Sequence, residues 1–383
     1  MAAIMRVLLL DAAFSAEPIY DHLVQVGHEV WVMGARAQDV LAARAGTRWV
    51  QHDYSDVDGV RGHLARLGID VVVPGCTDVS METCVQIGRP WFRADPAEVN
   101  EAISNKAAFR RLCKELDLPA PRAVEHASFP RTGSFICKPV DAFSGRGITV
   151  FDGQDAAALR HAVAIAEAAS RTGEALIEHF HQGDLYSCSA FIEAGRLRFP
   201  FFVREASSAN PFAVDTSYVT YDLAAAAQAS LLDGLERLCA RLNLADGLLH
   251  TQFILDSGQP FIVELTRRCP GDLYARLIEF STGYPYAASY ASAFLGDPLG
   301  EAKLTKRHTL RHTVSARDGG VYRGLVFHKP VSVRAFYPLV PIGVTLLPNQ
   351  GSRAGVLFVD CDDHEELVKL FGAFMDRTAC DVT

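Results

Sequence analysis

Residues Ser134 to Phe151 read SFICKPVDAFSGRGITVF and carry the strongest local signal in the sequence. Two apolar runs, each typical of a strand, flank a turn that holds Ser144, Gly145 and Gly147. Glycines let backbone N–H groups approach an anion closely, and the serine adds a hydroxyl donor. Lys138 ends the first run, where its charge could neutralise a phosphate. The stretch therefore predicts a hairpin that binds a polyphosphate, with an ordinary glycine-containing hairpin as the alternative.

Composition and charge limit the kinds of protein that this chain can be. With 383 residues, 49% of them hydrophobic and 21% charged, it is typical of a folded protein of two or three domains. Its net charge of −8 argues against a general nucleic-acid or anionic-membrane partner. No membrane span is expected, because nowhere do 18 apolar residues run together. A signal peptide is not expected either, because the first apolar run, Val7–Leu10, is short and ends at Asp11. Nine cysteines without a C-x-x-C pair favour a reducing cytoplasm.

Residues 1–94 alternate between short apolar runs and helical spacing. Arg6–Leu10, Glu29–Met33 and Ile69–Val73 are predicted strands, with a predicted helix between the first two. Strands that alternate with helices form parallel sheets, so we expect a Rossmann-like N-terminal domain. The first strand is followed by DAAFS at 11–15 rather than by G-x-G-x-x-G, and a dinucleotide site is therefore not expected.

The rest of the chain is predicted to form a second domain over 95–300 and a β-rich C-terminal segment over 301–383. The sequence DPAE at 95–98 combines an N-cap, a first-turn proline and a capping-box glutamate, which together mark a helix start and a domain boundary. Within the second domain, the hairpins and helix over about 120–182 form a lid subdomain. The predicted fold class is therefore α/β followed by α+β.

A second chemical signal lies in the predicted strand Pro260–Leu265. Its alternation places Glu264 on the face opposite Val263 and Leu265, and a carboxylate is costly to bury unless a cation meets it. Mg²⁺ is a hard ion that takes carboxylate and phosphate oxygens. Arg268 could bind a phosphate or carboxylate oxygen with two hydrogen bonds. A structural ion pair between Glu264 and Arg268 is the alternative.

A third, weaker signal is the apolar strand Ala175–Phe180, which leads to Gly183. Such a strand can offer backbone donors and acceptors to a purine, while Leu176 and Phe180 supply apolar surface. An ordinary core strand explains the same pattern.

Taken in order, these stretches resemble the ATP-grasp superfamily. The resemblance covers roughly residues 95–300, and the matching pieces are Asn105-Lys106, Lys138-Pro139, SGRG at 144–147, IEHF at 177–180, and Glu264 with Arg268. It implies an ATP-grasp fold, preceded by the Rossmann-like domain and followed by the β-rich segment, which would complete the active site.

The resemblance also implies which residues hold the nucleotide phosphates. Lys106 and Lys138 would contact the phosphates of ATP. The loop at 143–147, with Ser144, Gly145 and Gly147, would close over the β- and γ-phosphates.

The remaining implied roles concern adenine, the metal and the reacting group. The backbone of His179 and Phe180 would pair with adenine, with Glu178 at its amino-group edge. Glu264 would hold Mg²⁺, for which Mn²⁺ is an alternative, and Arg268 would face the transferring phosphoryl group. ATP and a divalent metal are the implied cofactors.

Three positions depart from the superfamily pattern. Gln252 stands where an acidic metal ligand is usual, and Thr266 replaces an asparagine two residues after the metal glutamate. The usual ribose-binding glutamate would fall at Leu185, so we expect Asp184 or another residue to serve the ribose. An amide binds Mg²⁺ more weakly than a carboxylate does, so a two-metal arrangement is in doubt.

The expected activity is an ATP-dependent carboxylate–amine ligase that forms an amide or peptide bond through an acyl phosphate. A similarity of CPGD at 269–272 and GSRAGV at 351–356 to L-amino-acid ligases favours an amino-acid-like substrate. Arg317, Arg334 and Arg353 are candidates to bind its carboxylate. Small-molecule carboxylate and amine substrates are the expected partners, and relatives that form dimers leave a homodimer open. A bicarbonate-activating carboxylase and an ATP-binding module with impaired catalysis are the alternatives.

Overall fold

The computed structural model describes residues 3–142, 145–299 and 302–383. Its helices are α1 (Glu17–Gln25), α2 (Val40–Ala45), α3 (Val57–Leu67), α4 (Asp78–Ile87), α5 (Ala97–Ser104), α6 (Lys106–Glu115), α7 (Ala156–Ala169), α8 (Ala225–Leu242), α9 (Tyr274–Thr282), α10 (Tyr286–Leu295) and α11 (His364–Met375). Within the described ranges, none of these helices combines the length and the apolar character needed to cross a bilayer.

Nineteen strands are described. They are β1 (Arg6–Leu10), β2 (Glu29–Gly34), β3 (Trp49–Gln51), β4 (Val71–Pro74), β5 (Ser134–Pro139), β6 (Thr149–Asp152), β7 (Ala175–His179), β8 (Asp184–Glu193), β9 (Arg196–Ala206), β10 (Thr216–Val219), β11 (Gly247–Asp256), β12 (Gln259–Thr266), β13 (His308–Val314), β14 (Gly320–Val321), β15 (Leu325–Phe327), β16 (Ser332–Pro338), β17 (Thr345–Leu346), β18 (Gly355–Cys361) and β19 (Cys380–Val382).

The N-terminal residues form a four-stranded parallel sheet in the order β3-β2-β1-β4. The central strand β1 is apolar throughout Val7–Leu10, and those four side chains are fully buried, as a parallel strand covered on both faces requires. Helix α4 begins directly after β4, where Thr77 caps it by accepting a hydrogen bond from Ser80 N at 3.1 Å. Asp78 therefore lies at the carboxyl edge of this sheet.

An eight-stranded antiparallel sheet occupies the centre of the molecule, in the order β12-β11-β8-β9-β10-β13-β18-β16. Strand β13, which follows residue 300, pairs with β10, which precedes it, so the predicted C-terminal segment extends the sheet of the second domain. Helices α6 and α8 pack on one face of this sheet, whereas α9 and α10 pack on the other. The polar residues described below lie on the α9 face.

The hairpin predicted from Ser134–Phe151 is present as β5 and β6 of a three-stranded sheet, β6-β5-β7. Helix α7 packs on it through a small core that includes Phe135, Phe151 and Leu159. Asp155 caps α7 by accepting hydrogen bonds from Ala157 N at 2.8 Å and Ala158 N at 2.9 Å. We refer to this sheet with α7 as the lid.

The predicted capping role of Asp95 is wrong. The residue that precedes α5 is Pro96, and no side chain caps that helix. Asp95 is buried instead, where it accepts a hydrogen bond from Ala245 N at 2.7 Å and pairs with Arg267 Nε at 2.8 Å. The aspartate therefore anchors the connection between the two parts of the chain.

Candidate active site

A row of polar side chains crosses one face of the eight-stranded sheet. Glu264 lies opposite Gln252 in the β11–β12 register, and Gln252 lies opposite Ser187 in the β8–β11 register. Ser187 faces Val203, which is two residues before Glu205 on β9. Because directly opposed residues and residues two apart on a strand share a face, these side chains lie side by side.

The same row continues into the strands that follow. Glu205 lies opposite Ser217 on β10, and Ser217 lies opposite Arg311 on β13. Arg311 is buried and donates from Nε to Ser217 Oγ at 2.8 Å. The row therefore brings residues from both sides of position 300 to one surface.

Glu205 is the buried carboxylate at the centre of this row, and it was not among the site residues predicted from the sequence. Its oxygens accept hydrogen bonds from Ser187 Oγ and from Gln252 Nε2, both at 2.7 Å. Burial raises the pKa of Glu205, and the bond from Ser187 opposes that shift. The signal available was a lone carboxylate near the end of the apolar run that forms β9 (Arg196–Ala206).

Glu264 is solvent-exposed, so the expected cost of burying its carboxylate does not arise. The predicted alternation with buried Leu265 is nevertheless present, and a register irregularity at this point of β12 sets Glu264 beside Gln252. The alternative ion pair between Glu264 and Arg268 is not formed among the residues that the structure describes.

Arg268 pairs instead with Asp78 of the N-terminal sheet. Its Nε and Nη2 donate to the two carboxylate oxygens of Asp78 at 2.7 and 3.0 Å. Burial alone would lower the pKa of Arg268, but Asp78 outweighs it and holds that pKa above its ordinary value. Arg268 is thus a fixed cation at the junction of the two large sheets.

His250 lies on β11 two residues before Gln252, so the two side chains share a face of the sheet. It is also close to Arg268. Its Nδ1 is 2.7 Å from Ser189 Oγ, which in turn contacts the Tyr286 hydroxyl at 3.0 Å. Burial, assisted by the positive charge of Arg268, lowers the pKa of His250 to about 3.

This depressed pKa predicts a loss of stability in mild acid. Between pH 6.5 and about 3 the unfolded chain binds a proton at residue 250 that the folded chain does not, so the free energy of unfolding decreases as the pH falls. The contribution of His250 approaches about 1.4 kcal/mol per pH unit. Urea unfolding of the wild type and His250→Gln at pH 7, 6 and 5 measures it. Equal slopes in the two proteins would contradict the expectation.

The lid contributes a buried cluster of two cations and one carboxylate. Glu178 on β7 is fully buried, and its two oxygens meet Lys138 Nζ on β5 and Arg110 Nε on α6. Burial lowers the pKa of Lys138, while Glu178 acts to raise it. The carboxylate of Glu178 is therefore engaged by protein cations, whereas the resemblance had suggested the edge of adenine.

Arg110, on α6, was not among the site residues predicted from the sequence. Its Nη2 donates to the carbonyl of Val263 at 2.6 Å, so it joins the lid cluster to the strand that carries Glu264. Lys138 and Glu264 are thus linked through a few hydrogen-bonded groups. The Nη1 atom of Arg110 is buried and has no hydrogen-bond partner among the described residues.

The glycine turn of the lid faces the central sheet. Gly145 and Gly147 both have φ of +72°, which glycine adopts without strain. A Cβ on Gly145 would come within 2.5 Å of the Phe212 carbonyl oxygen, so the turn touches the β9–β10 loop. Lys106 Nζ donates to the Ala142 carbonyl at 2.7 Å, at the entry to this turn. Ser144, predicted to contact phosphate, lies outside the described residues.

The strand predicted to meet adenine is part of the lid sheet. The amide N–H of His179 donates to the Arg122 carbonyl at 3.1 Å, and that of Phe180 donates to the Ser134 carbonyl at 3.0 Å. Both donors are therefore used within the fold. Asp184 begins β8, is largely exposed, and pairs with Arg204.

The three arginines suggested for a substrate carboxylate lie in different places. Arg334 pairs with Asp360 at 2.7 Å, and Arg317 donates to the Arg377 carbonyl at 3.2 Å. Arg353 donates to Asp272 Oδ1 at 2.7 Å and its side chain remains 44% exposed. Asp272 also receives Arg311, which connects this group to the polar row. Asp272 does not cap α9.

Comparisons with known proteins give the fold. No family model matches the sequence, and no curated protein matches it significantly. Among solved structures, L-amino acid ligase from Bacillus licheniformis superposes with a TM-score of 0.80 at 16% identity, covering 100% of this chain and 99% of that one. Phosphoribosylglycinamide synthetase from Anaerococcus prevotii gives 0.76 at 14% identity, covering 100% of both chains.

A third neighbour carries bound ligands. The biotin carboxylase domain of the 2-oxoglutarate carboxylase from Hydrogenobacter thermophilus was solved with MgADP, ADP and bicarbonate. It superposes with a TM-score of 0.74 at 13% identity, covering 94% of this chain and 87% of that one. These neighbours are ATP-grasp enzymes, and this chain shares their overall fold over 94–100% of its length.

The residues present fit a nucleotide and a metal ion that draws part of its coordination from phosphates. Two features would suit an anionic ligand. One is the glycine turn at Gly145–Gly147, and the other is the Nη1 donor of Arg110, which has no hydrogen-bond partner among the described residues. Across the described ranges, no group of three or more histidine, cysteine or acidic side chains could hold a metal alone. Glu264 and the opposing Gln252 offer a carboxylate and an amide oxygen, which suit Mg²⁺ completed by phosphate and water.

Proposed function

We propose that this protein is an ADP-forming, ATP-dependent carboxylate–amine ligase. The observation that carries the proposal is the polar row from Glu264 to Arg311, which the lid with Lys138 and its glycine turn approaches on one side and Arg268 on the other. A site that combines fixed cations, a glycine-containing turn and a metal-binding pair suits phosphoryl transfer.

In the proposed reaction an oxygen of the substrate carboxylate attacks the γ-phosphorus of ATP, and ADP leaves. The resulting acyl phosphate is attacked at carbon by an amine, which gives an amide, releases phosphate and sheds a proton to solvent. Lys106 and Lys138 would offset phosphate charge, as would the backbone at Gly145 and Gly147. Arg268 would stabilise the transferring group. Because these groups are held in place before the reaction, they lower the barrier by positioning and by charge.

Glu264 and Gln252 would hold the metal ion, and when bound that ion would neutralise the charge that develops on the phosphate oxygens. Glu264 supplies the single negative charge of the pair. Gln252 is kept beside it by the β11–β12 register and by its hydrogen bond to Glu205. This arrangement supports one metal ion in preference to two.

An amino-acid-like substrate is the finer part of the proposal. Arg353 supports it, because this arginine is half-exposed, lies 5.7 Å from the ring centre of Phe14 and is aligned by Asp272. Phe14 belongs to the segment that follows β1 in the N-terminal sheet. A carboxylate bound to Arg353 would therefore lie between the N-terminal sheet and the C-terminal strands. The cytoplasm remains the proposed location, consistent with nine unpaired thiols.

Asp78→Asn is expected to lower kcat about 10-fold, or about 1.4 kcal/mol, with little change in the KM for ATP. Without the carboxylate, Arg268 keeps its charge but loses the pairing that fixes it. Steady-state kinetics measure the split between the two constants. Glu82→Gln, one turn along the same helix, is the matched control and should behave as the wild type. An Asp78 variant with unchanged kcat would contradict the positioning role.

The proposed activity is tested with ATP, Mg²⁺ and pooled amino acids. Release of ADP and phosphate that requires an amine supports the ligase, and transfer of ¹⁸O from a labelled carboxylate into phosphate supports the acyl phosphate. Release that requires bicarbonate instead would indicate the carboxylase, whose candidacy comes from the bicarbonate-bound neighbour. Tight ATP binding without release would indicate the binding module, which Gln252 and Thr266 favour.

A further inference from the structure

We propose that Glu205 is a positioning residue that orients the Gln252 amide so that its carbonyl oxygen faces Glu264 and the metal ion. The inference rests on the proposed function, because it concerns the metal pair of that site. It explains how a glutamine can serve where a carboxylate ligand is usual.

The hydrogen bonds around Glu205 fix which end of the amide points where. A carboxylate with donors on both oxygens acts only as an acceptor, so the group that Gln252 turns towards Glu205 is its NH₂. The carbonyl oxygen lies on the other side of the amide carbon. Strand β12, which carries Glu264 directly opposite Gln252, flanks β11 on the side away from β8 and β9.

Glu205 is itself held in place by a hydrogen bond to its other carboxylate oxygen, so it can fix the orientation of the Gln252 amide. Its Oε1 accepts from Ser187 Oγ, and Ser187 is in turn contacted by the Tyr274 hydroxyl at 3.0 Å. The side chain is 4% exposed, which leaves little room for another rotamer. A residue so enclosed is suited to align a neighbour rather than to receive a ligand.

The consequence is a metal site with one carboxylate and one aligned carbonyl oxygen. The hydrogen bond from Gln252 to an anion polarises the amide and makes its oxygen a better ligand. Removing a residue that orients a metal ligand typically weakens metal binding by about 10- to 100-fold.

The test measures binding of Mn²⁺ in the presence of ADP, from the free Mn²⁺ signal in electron paramagnetic resonance. Glu205→Met removes the acceptor while keeping the length of the side chain, and we expect Mn²⁺ to bind about 10- to 100-fold more weakly. Binding of ADP in EDTA should stay the same. Near-UV circular dichroism establishes that the variant is folded.

The double variant Glu205→Gln/Gln252→Glu, in which the two residue types are exchanged, tests the inference even if Glu205→Met does not fold. In it the new amide at position 205 donates to the new carboxylate at position 252, so the side chain at position 252 is again aligned. Mn²⁺ should then bind at least as tightly as in the wild type. Binding more than about 10-fold weaker in the exchanged variant would overturn the inference, as would unchanged binding in Glu205→Met. An effect of Glu205→Met confined to the KM of the amine would assign Glu205 to the substrate, which also overturns it.

The wild type separates this inference from the proposed function. If it bound neither ADP nor Mn²⁺ with ADP, the proposed function would fail and the inference with it. If both bind and only the Glu205 variants behave otherwise than expected, the ligase proposal stands and the role of Glu205 is wrong.

Discussion

Glu264→Gln is expected to lower kcat by about 10²–10³-fold, or about 3–4 kcal/mol, by analogy with the loss of one preorganised stabilising group. The substitution removes the only charge of the proposed metal pair, while its amide has almost the same size. Because Glu264 is exposed, the free energy of unfolding should change by less than about 0.5 kcal/mol. Amine-dependent ADP release and urea unfolding measure the two effects.

Asp233→Asn is the control for Glu264→Gln, since Asp233 is also exposed and lies on α8, which packs on the face of the sheet opposite the polar row. It should leave both turnover and stability unchanged. Normal ADP release by Glu264→Gln would remove Glu264 from the metal site, and a large loss of stability would show that the residue has a structural role instead.

Glu178→Gln is expected to lower the free energy of unfolding by about 3–5 kcal/mol, the usual cost of breaking a buried ion pair. The side chains of Lys138 and Arg110 are 6% and 4% exposed, and without Glu178 they would remain buried together with no counter-charge. Urea unfolding at pH 7 measures the change. Activity should fall as well, because Lys138 would lose the partner that holds it.

Glu82→Gln is the control for this second prediction. Glu82 pairs with Arg171 between the N-terminal sheet and the lid, but Arg171 is 59% exposed. Exposed pairs contribute about 0–1 kcal/mol, so the control should cost little. A loss below about 1 kcal/mol in Glu178→Gln would mean that the buried cluster relaxes or admits water.

Features set by local sequence were predictable. The bounds of β1 and the two strands of the lid hairpin follow from apolar runs, and the turn at Gly145 follows from glycine content. The partner of Arg268 shows where local reasoning stops. An ion pair with Glu264 is natural in a helix, but four residues along a strand span about 13 Å. The actual partner, Asp78, is 190 positions away.

Side-chain pairs that depend on strand register were beyond the sequence. Gln252 and Glu205 are 47 positions apart, and nothing in either strand alone says that β8 lies between them. Arg110 and Glu178 meet only because α6 packs against both the lid and the edge of the central sheet. Candidate ligands could therefore be proposed one at a time from the sequence, whereas the residues that contact them could not.

The bond from Arg110 to the Val263 carbonyl has a mechanical consequence. Arg110 contacts both Glu178 of the lid and the backbone of the edge strand β12. The lid sheet and the central sheet are therefore connected at this end. Under the proposed function, movement of the lid relative to β12 would be restricted at this end, and Lys138 and Arg110 would stay close to β12.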